Sequence, residues 1–234
     1  MSTPSPAKWA FHDPTSTSSY SVTPSSTNSY TISIASGKRT DWWTSAPHSV
    51  PESSAHRTSG PLVYQTLHID PRENWKLSGT VQQAGSERYQ QSTLFIRRAP
   101  PSGPSSSVED SEGQTWLKAG IENEGGRKYV GVVATSPYSD WNVSPLPSRS
   151  PSSVYLEIEK TGPDVHVYYT LPSSSQEAEE RLLLREKKGF APLGGEEKEE
   201  WWIGAMVCGP LSEKTEGRVE GWTFELLPAS AGQH

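Results

Sequence analysis

Residues 116–141 read Trp-Leu-Lys-Ala-Gly-Ile-Glu-Asn-Glu-Gly-Gly-Arg-Lys-Tyr-Val-Gly-Val-Val-Ala-Thr-Ser-Pro-Tyr-Ser-Asp-Trp, and their alternation decides the fold. In an extended chain successive side chains point to opposite sides. Leu117, Ala119 and Ile121 therefore share one face, while Trp116, Lys118, Gly120 and Glu122 share the other. The first face is apolar and belongs in a core. The second gathers an indole, an ammonium and a carboxylate on one surface of a sheet, as a binding face does. Asn123–Lys128, with its Gly-Gly turn, joins this run to Tyr129–Thr135 and predicts a hairpin. Tyr138-Ser-Asp-Trp141 follows Pro137 and reads as a loop at the rim. There Asp140 can accept a ligand donor and Trp141 can stack on a ring or sugar. Equally, Asp140 can cap the turn and Trp141 can cover the core edge.

The same alternation recurs on both sides of this segment. Tyr30, Ile32 and Ile34 suggest a strand, and Asp41-Trp42-Trp43 follows as an aromatic cluster. Residues 44–61 look loop-like. Strands are predicted at Leu62–Ile69, Trp75–Gln82, Gln91–Arg97, Val154–Lys160, Val165–Thr170, Trp201–Gly209 and Trp222–Leu226. Residues 99–114 form a Pro-, Ser- and acid-rich insertion. Residues 176–188 are the one helix candidate, although Leu182-Leu183-Leu184 also fits a strand. Many short strands, hairpin turns and little helix predict an all-β fold, an antiparallel β-sandwich or barrel. Residues 1–29, rich in Ser, Thr and Pro, are expected to form a loose tail or edge arm, and residues 30–228 one sandwich domain.

Composition narrows the partners. Lys and Arg total 21 against 27 Asp and Glu, a net charge of −6 with the signs interspersed, so a nucleic-acid backbone is not an expected partner. The nine Trp and nine Tyr favour sheets and binding surfaces. No apolar run suits a signal peptide or a membrane span, and the single cysteine, Cys208, fits a reducing, cytoplasmic setting as a buried structural thiol. Asn142-Val143-Ser144 matches a glycosylation acceptor and, without a secretory signal, reads as coincidence. The six histidines show no metal-binding spacing, and no phosphate loop, dinucleotide fingerprint or nucleophile elbow occurs, so neither a metal nor a cofactor is expected. Self-association into a homo-oligomer stays open.

Several of these runs together resemble a known family. Trp116–Glu122, Val132–Thr135, Tyr138–Trp141, Leu156–Glu159, Val167–Tyr169 and Trp202–Cys208 are similar to the DUF1349, or regulation-of-enolase-like, proteins. The resemblance implies a concanavalin A-like jelly roll and a cytosolic protein. It spans residues 116–208, with a weaker match upstream. Where that family carries Tyr-Asp-Gln-Ala-Gly, this chain has Tyr89-Gln90-Gln91-Ser92-Thr93, so an expected acid is Gln90.

The candidate site follows from the polar face of 116–122. Lys118 and Glu122 lie about 13 Å apart along an extended strand, so each must meet partners on neighbouring strands. Gln91, Tyr129, Gly131 and Val133 are available neighbours. The alternative is a solvent face or a structural ion pair. Glycine at 120 and 131 leaves room for a ligand. Lys118, Glu122 and Tyr138 are the candidate catalytic groups. Trp116, Gln91, Tyr129, Asp140, Trp141 and Trp202 are the candidate ligand contacts. Two classes of function fit. One is a cofactor-independent groove for a small hydrophobic or aromatic molecule, acting as a fungal-type cyclisation or cycloaddition enzyme in which Lys118, Tyr138 or Tyr129 donates to a developing oxyanion. The other is a noncatalytic carbohydrate-binding or metabolic regulatory module. Its glycoside-hydrolase variant would need Glu122 paired with Asp140.

Overall fold

A computed structural model of the chain describes residues 8–46, 55–99, 115–147, 153–171, 180–192 and 197–228. Its sixteen strands are β1 (Trp9–His12), β2 (Ser19–Ser26), β3 (Ser29–Ser36), β4 (Trp42–Thr44), β5 (His56–Thr58), β6 (Leu62–Ile69), β7 (Asn74–Gln83) and β8 (Gln91–Arg98), followed by β9 (Thr115–Glu124), β10 (Arg127–Thr135), β11 (Ser139–Pro145), β12 (Ser153–Thr161), β13 (Asp164–Thr170), β14 (Leu182–Lys187), β15 (Glu199–Cys208) and β16 (Thr215–Leu227). One sheet of seven runs β1-β6-β15-β8-β9-β10-β11, and a second sheet of seven runs β14-β13-β12-β7-β16-β3-β2. Every pairing in both is antiparallel. The fold is thus an all-β, two-sheet sandwich with open edges, and neither sheet closes on itself. Strands β4 and β5 form a separate two-stranded ribbon.

Side-chain alternation builds the core. Leu117, Ala119 and Ile121 of β9, Val130 and Val132 of β10, and Leu94 and Ile96 of β8 face Leu77, Leu156, Ile158 and Val219 across the sandwich. Trp75 meets Trp201 edge to face, with centroids 5.2 Å apart. Each large side chain moved fully out of water contributes about 1.5–3 kcal/mol, so this interleaved layer dominates the favourable energy. The β9–β10 register pairs Glu124 with Arg127, leaving a two-residue loop of Gly125 and Gly126 at φ +55° and +76°. Positive φ at both central residues is what a tight hairpin of this twist demands, and glycine meets it without strain.

The structure differs from the sequence reading in four places. Residues 44–61 do not form a plain loop, because the ribbon β4–β5 pairs Trp42 with Thr58 and Thr44 with His56. Tyr138–Trp141 is not a rim loop either: Ser139 onward pairs with β10 as the edge strand β11. The helix candidate lies partly outside the described residues, and its described end is the edge strand β14. There Leu182 and Leu184 are half-buried with the exposed Leu183 between them, the two-residue period of a strand paired to β13. Finally, Trp9–His12 and Ser19–Ser26, inside the segment expected as a loose tail or edge arm, take its edge alternative as edge strands of the two sheets, so paired strands precede residue 30, the expected start of the sandwich.

Candidate functional site

The outer face of the first sheet carries a second, smaller core. Trp42, Leu62, Phe95, Trp116, Met206 and Cys208 bury one another there, beneath the β4–β5 ribbon. Trp42 meets both Phe95 (4.9 Å) and Trp116 (5.8 Å) edge to face, and its indole N–H donates to the Gly60 carbonyl (2.8 Å). The ribbon is therefore fixed on the sheet by aromatic packing, and its lead-in residue, Asp41, is carried over β9.

At the border of this packing lies Lys118. Its side chain is fully enclosed, and Nζ donates to Asp41 Oδ1 (3.0 Å) and to the Trp42 carbonyl (2.9 Å). Asp41 Oδ1 also accepts the backbone N–H of Trp42 (2.8 Å), while the Asp41 carbonyl accepts from Ser59 and Gly60. Among the described residues Lys118 has only these two acceptors, so one of its three N–H donors is left over. Burial pulls the ammonium toward neutrality, but Asp41 foremost, with Glu122 helping, outweighs this and raises its pKa. The pKa of the buried Cys208 thiol is pushed up, chiefly by burial against a partial offset from Lys118, surroundings that favour the thiol over the thiolate.

Glu122 lies two residues beyond Gly120 on the same face. Its Oε1 accepts from Gln91 Nε2 (2.8 Å) and its Oε2 from the Trp141 indole N–H (2.9 Å). Burial drives its pKa from 4.5 up to about 7, although Lys118 and both hydrogen bonds pull the other way. Near neutrality the carboxyl is thus poised between its two protonation states. With the proton on, Asp41, Lys118 and Glu122 sum to zero charge; with it off, they sum to −1.

These groups floor a cavity of about 340 Å³. Lys118, Glu122 and Gln91 form its base. Trp43 and Arg57 of the ribbon make one wall, Tyr89 and Trp141 another, and Leu211 stands at the border. A larger hollow of about 440 Å³ lies on the second sheet, bordered by Ser21, Ser33, Gln82 and Arg218. It is shallower and holds no buried charge, and it has the chemistry of a solvated face. Among the described residues no group of three or more His, Cys, Asp or Glu is placed to hold a metal.

The structure brings together Lys118, Glu122, Gln91 and Trp141 of the predicted residues. It places the others elsewhere. Trp116 is fully buried under the ribbon and does not border the cavity. Trp202 stacks on Tyr64 (4.3 Å) and carries the Arg97 guanidinium on its ring (4.5 Å), away from the cavity. Tyr129 sits beside Glu122 in register but not on the cavity wall. Tyr138 is exposed at the turn before β11. Asp140 is corrected most sharply: it pairs with Ala134, hence points to the opposite face from Trp141, where it binds Arg185 of β14 (2.5 Å). The Glu122–Asp140 carboxylate pair therefore does not exist. Gly120 offers no room for a ligand, since a Cβ there would sit 1.9 Å from the Ser92 carbonyl oxygen. Gln90 points away from the cavity, its amide bonded to Glu87 N–H (3.1 Å) and the Lys214 carbonyl (3.3 Å).

Sequence reasoning missed Asp41, Tyr89 and Arg57 as site residues. Asp41 precedes a Trp pair already marked as a cluster, but its partner Lys118 is 77 residues away, and no local pattern links them. Strand β11 ties the whole arrangement: Ser139 Oγ accepts the Thr44 N–H of the ribbon (2.9 Å), Asp140 reaches β14, and Trp141 holds Glu122.

Known proteins resemble this chain in sequence or in fold. An uncharacterized protein of Emericella nidulans is 23% identical over 181 residues, which is 77% of this chain and 78% of the relative. The crystal structure of a functionally unknown protein from Saccharomyces cerevisiae superposes with a TM-score of 0.64 at 17% identity, covering 94% of this chain and 96% of the other. A xylan β-1,4-xylosidase from Bacillus halodurans C-125 matches with a TM-score of 0.54 at 11% identity, over 83% of this chain but 32% of the enzyme. At such identities the structural matches speak for the fold alone. The description "Protein of unknown function (DUF1349)" fits residues 20–226, nearly the whole described sandwich, and the chain belongs to the DUF1349 family.

Proposed function

We propose that the cavity binds a small, largely apolar, unsaturated molecule and orients it for ring closure, by cyclisation or cycloaddition, in the manner of fungal specialised metabolism. The observation that carries this reading is the buried Lys118–Asp41 pair and the Glu122 carboxyl beneath aromatic walls, in a space within the usual size range of small-molecule sites, about 300–1,000 Å³. Trp43, Tyr89 and Trp141 hold the apolar body and exclude water. The spare Lys118 N–H stabilises negative charge developing on a substrate oxygen, strongly because the donor is buried and already fixed. Glu122 takes or returns a proton at the same oxygen or an adjacent carbon, as its near-neutral titration allows. Ring closure of a bound polyene rearranges bonds within the substrate, so positioning and one oxyanion donor suffice. The sandwich is read here as a concanavalin A-like jelly roll, and the buried, reduced Cys208 supports a cytoplasmic setting.

The test is incubation of the pure protein with polyene and quinone-methide precursors. Product ratios should depart from those in buffer and return to them in Lys118→Met and Glu122→Gln. Ratios unchanged by the wild-type protein would remove the catalytic reading.

A second reading, a noncatalytic carbohydrate-binding or regulatory module, draws on one observation. Trp141 is 36% exposed beside Gln91 and Glu122, a stacking plate next to hydroxyl-binding groups. Saturable binding on a glycan panel, abolished by Trp141→Ala, would favour it over ring closure.

A further inference from the structure

On the cavity wall the backbone is held against its preference at Tyr89. Its φ is +64°, a left-handed conformation that glycine enters freely and a bulky residue enters at a cost. Ser16, Asn28 and Arg39 also have positive φ, but none of them borders the cavity. A dense network imposes the conformation. The Tyr89 N–H donates to the Asn123 carbonyl (2.6 Å), and the Asn123 N–H returns a bond to the Gln90 carbonyl (3.2 Å). Asn123 Nδ2 donates to the Gly85 carbonyl (2.8 Å). Gln90 braces the turn from the other side. Arg88 forks onto Glu124 (2.8 and 2.9 Å) and lays its guanidinium 4.5 Å from the Tyr89 ring centre.

Glycine at position 89 would satisfy every one of these backbone bonds without strain. The tyrosine is therefore present despite the turn, and what it supplies is a ring. That ring stands at 79° to the Trp141 indole with centroids 6.3 Å apart, and both border the cavity. Together they make a right-angled corner, against which a flat ring can lie face-on to one wall and edge-on to the other, the two favoured aromatic geometries. Strain held in place at a ligand-facing position is characteristic of functional sites.

We propose that Tyr89 is a specificity-determining contact, and that the Tyr89–Trp141 corner selects a planar, unsaturated ring over a saturated ring of the same size. This rests on the cavity being a ligand site and deepens that reading by naming the shape it accepts.

The test uses two probes of matched skeleton, 2-naphthol and decahydro-2-naphthol, titrated calorimetrically into the full chain. Wild type should bind the planar probe about tenfold more tightly. Tyr89→Phe should keep that preference. Tyr89→Gly should reduce it to about twofold or less while melting close to wild type, because the relieved backbone offsets the lost ring contacts with Arg88 and Trp141. A preference that survives Tyr89→Gly, or a Tyr89→Gly chain that melts well below wild type, overturns the assignment. Equal binding of both probes to wild type overturns the shape selection and leaves the cavity reading standing. Binding of neither probe overturns both.

Discussion

The two sheets turn outer faces of opposite character to their surroundings, although the strands behind them are alike. The second sheet's outer face is a more open ion-pair surface. Lys76 lies between Glu225 (2.8 Å) and Glu157 (3.5 Å), Arg218 meets Glu220 (3.1 Å), and Arg181 binds Glu159 (2.6 Å) while lying 3.4 Å from the Tyr168 ring centre. The first sheet's outer face is roofed by the ribbon, and its one ammonium, Lys118, has 2% of its side chain exposed. Charges of the same kinds thus sit at a more open surface on one side and buried beneath a roof on the other. Exposed pairs are screened and contribute little, whereas a buried charge stripped of its partner is costly. A chain that retains the second arrangement beside an aromatic cavity has placed its unusual chemistry there.

The contrast can be broken from the buried side. Lys118→Met leaves Asp41 without its counter-ion and should destabilise the fold by about 3–5 kcal/mol in denaturant melts. The double change Asp41→Asn with Lys118→Met should recover most of that loss, because the partners are coupled. If the single and double variants unfold alike, the pair is not the source of the effect.

Glu122 supplies a smaller, pH-dependent effect. Its folded form keeps the proton from about pH 4.5 to about 7, a range in which the unfolded chain has lost it. The stability it contributes is therefore complete below about 4.5 and lost as pH rises through about 7, amounting to about 3 kcal/mol. Stability measured at about pH 5 and pH 8 should fall accordingly in wild type, and Glu122→Gln should flatten the difference. A Gln variant with the wild-type slope would place the titration elsewhere.

Trp141→Phe sharpens the same point. It removes the indole donor to Glu122 Oε2 and should cost about 1–2 kcal/mol. It should also move the Glu122 transition upward, since a bond favouring the carboxylate is gone. On the more open face, Arg218→Ala should change stability by less than about 1 kcal/mol, and salt should erase the difference. A loss there as large as that of Lys118→Met would dissolve the comparison.

Much of this was legible in local pattern. Alternation at 116–122 assigns Leu117, Ala119 and Ile121 to the core and Lys118 and Glu122 to the outer face, as the structure has them. What alternation cannot show is what covers that face. Trp116 and Lys118 share a face, yet the ribbon of residues 42–44 and 56–58 lands on the indole and leaves the cavity beside the ammonium. The ribbon's strands are three residues each, too short for a periodic signal, and their composition resembles a loop. Asp140 and Trp141 could not be separated while their segment read as a turn; once it is a strand, adjacent residues must diverge to opposite faces. Tyr89 eluded sequence reading because a tyrosine carries no mark of the left-handed backbone it is made to adopt.

Edge strand β11 has a consequence beyond the site. Three successive side chains are committed to three separate bodies: Ser139 to the ribbon, Asp140 to the opposite sheet and Trp141 to β9. A slide of the strand by one residue would exchange its faces, and by two would still unmake every one of these attachments. The exposed border of the first sheet is thereby keyed to a single alignment, which protects it against slipping into another register.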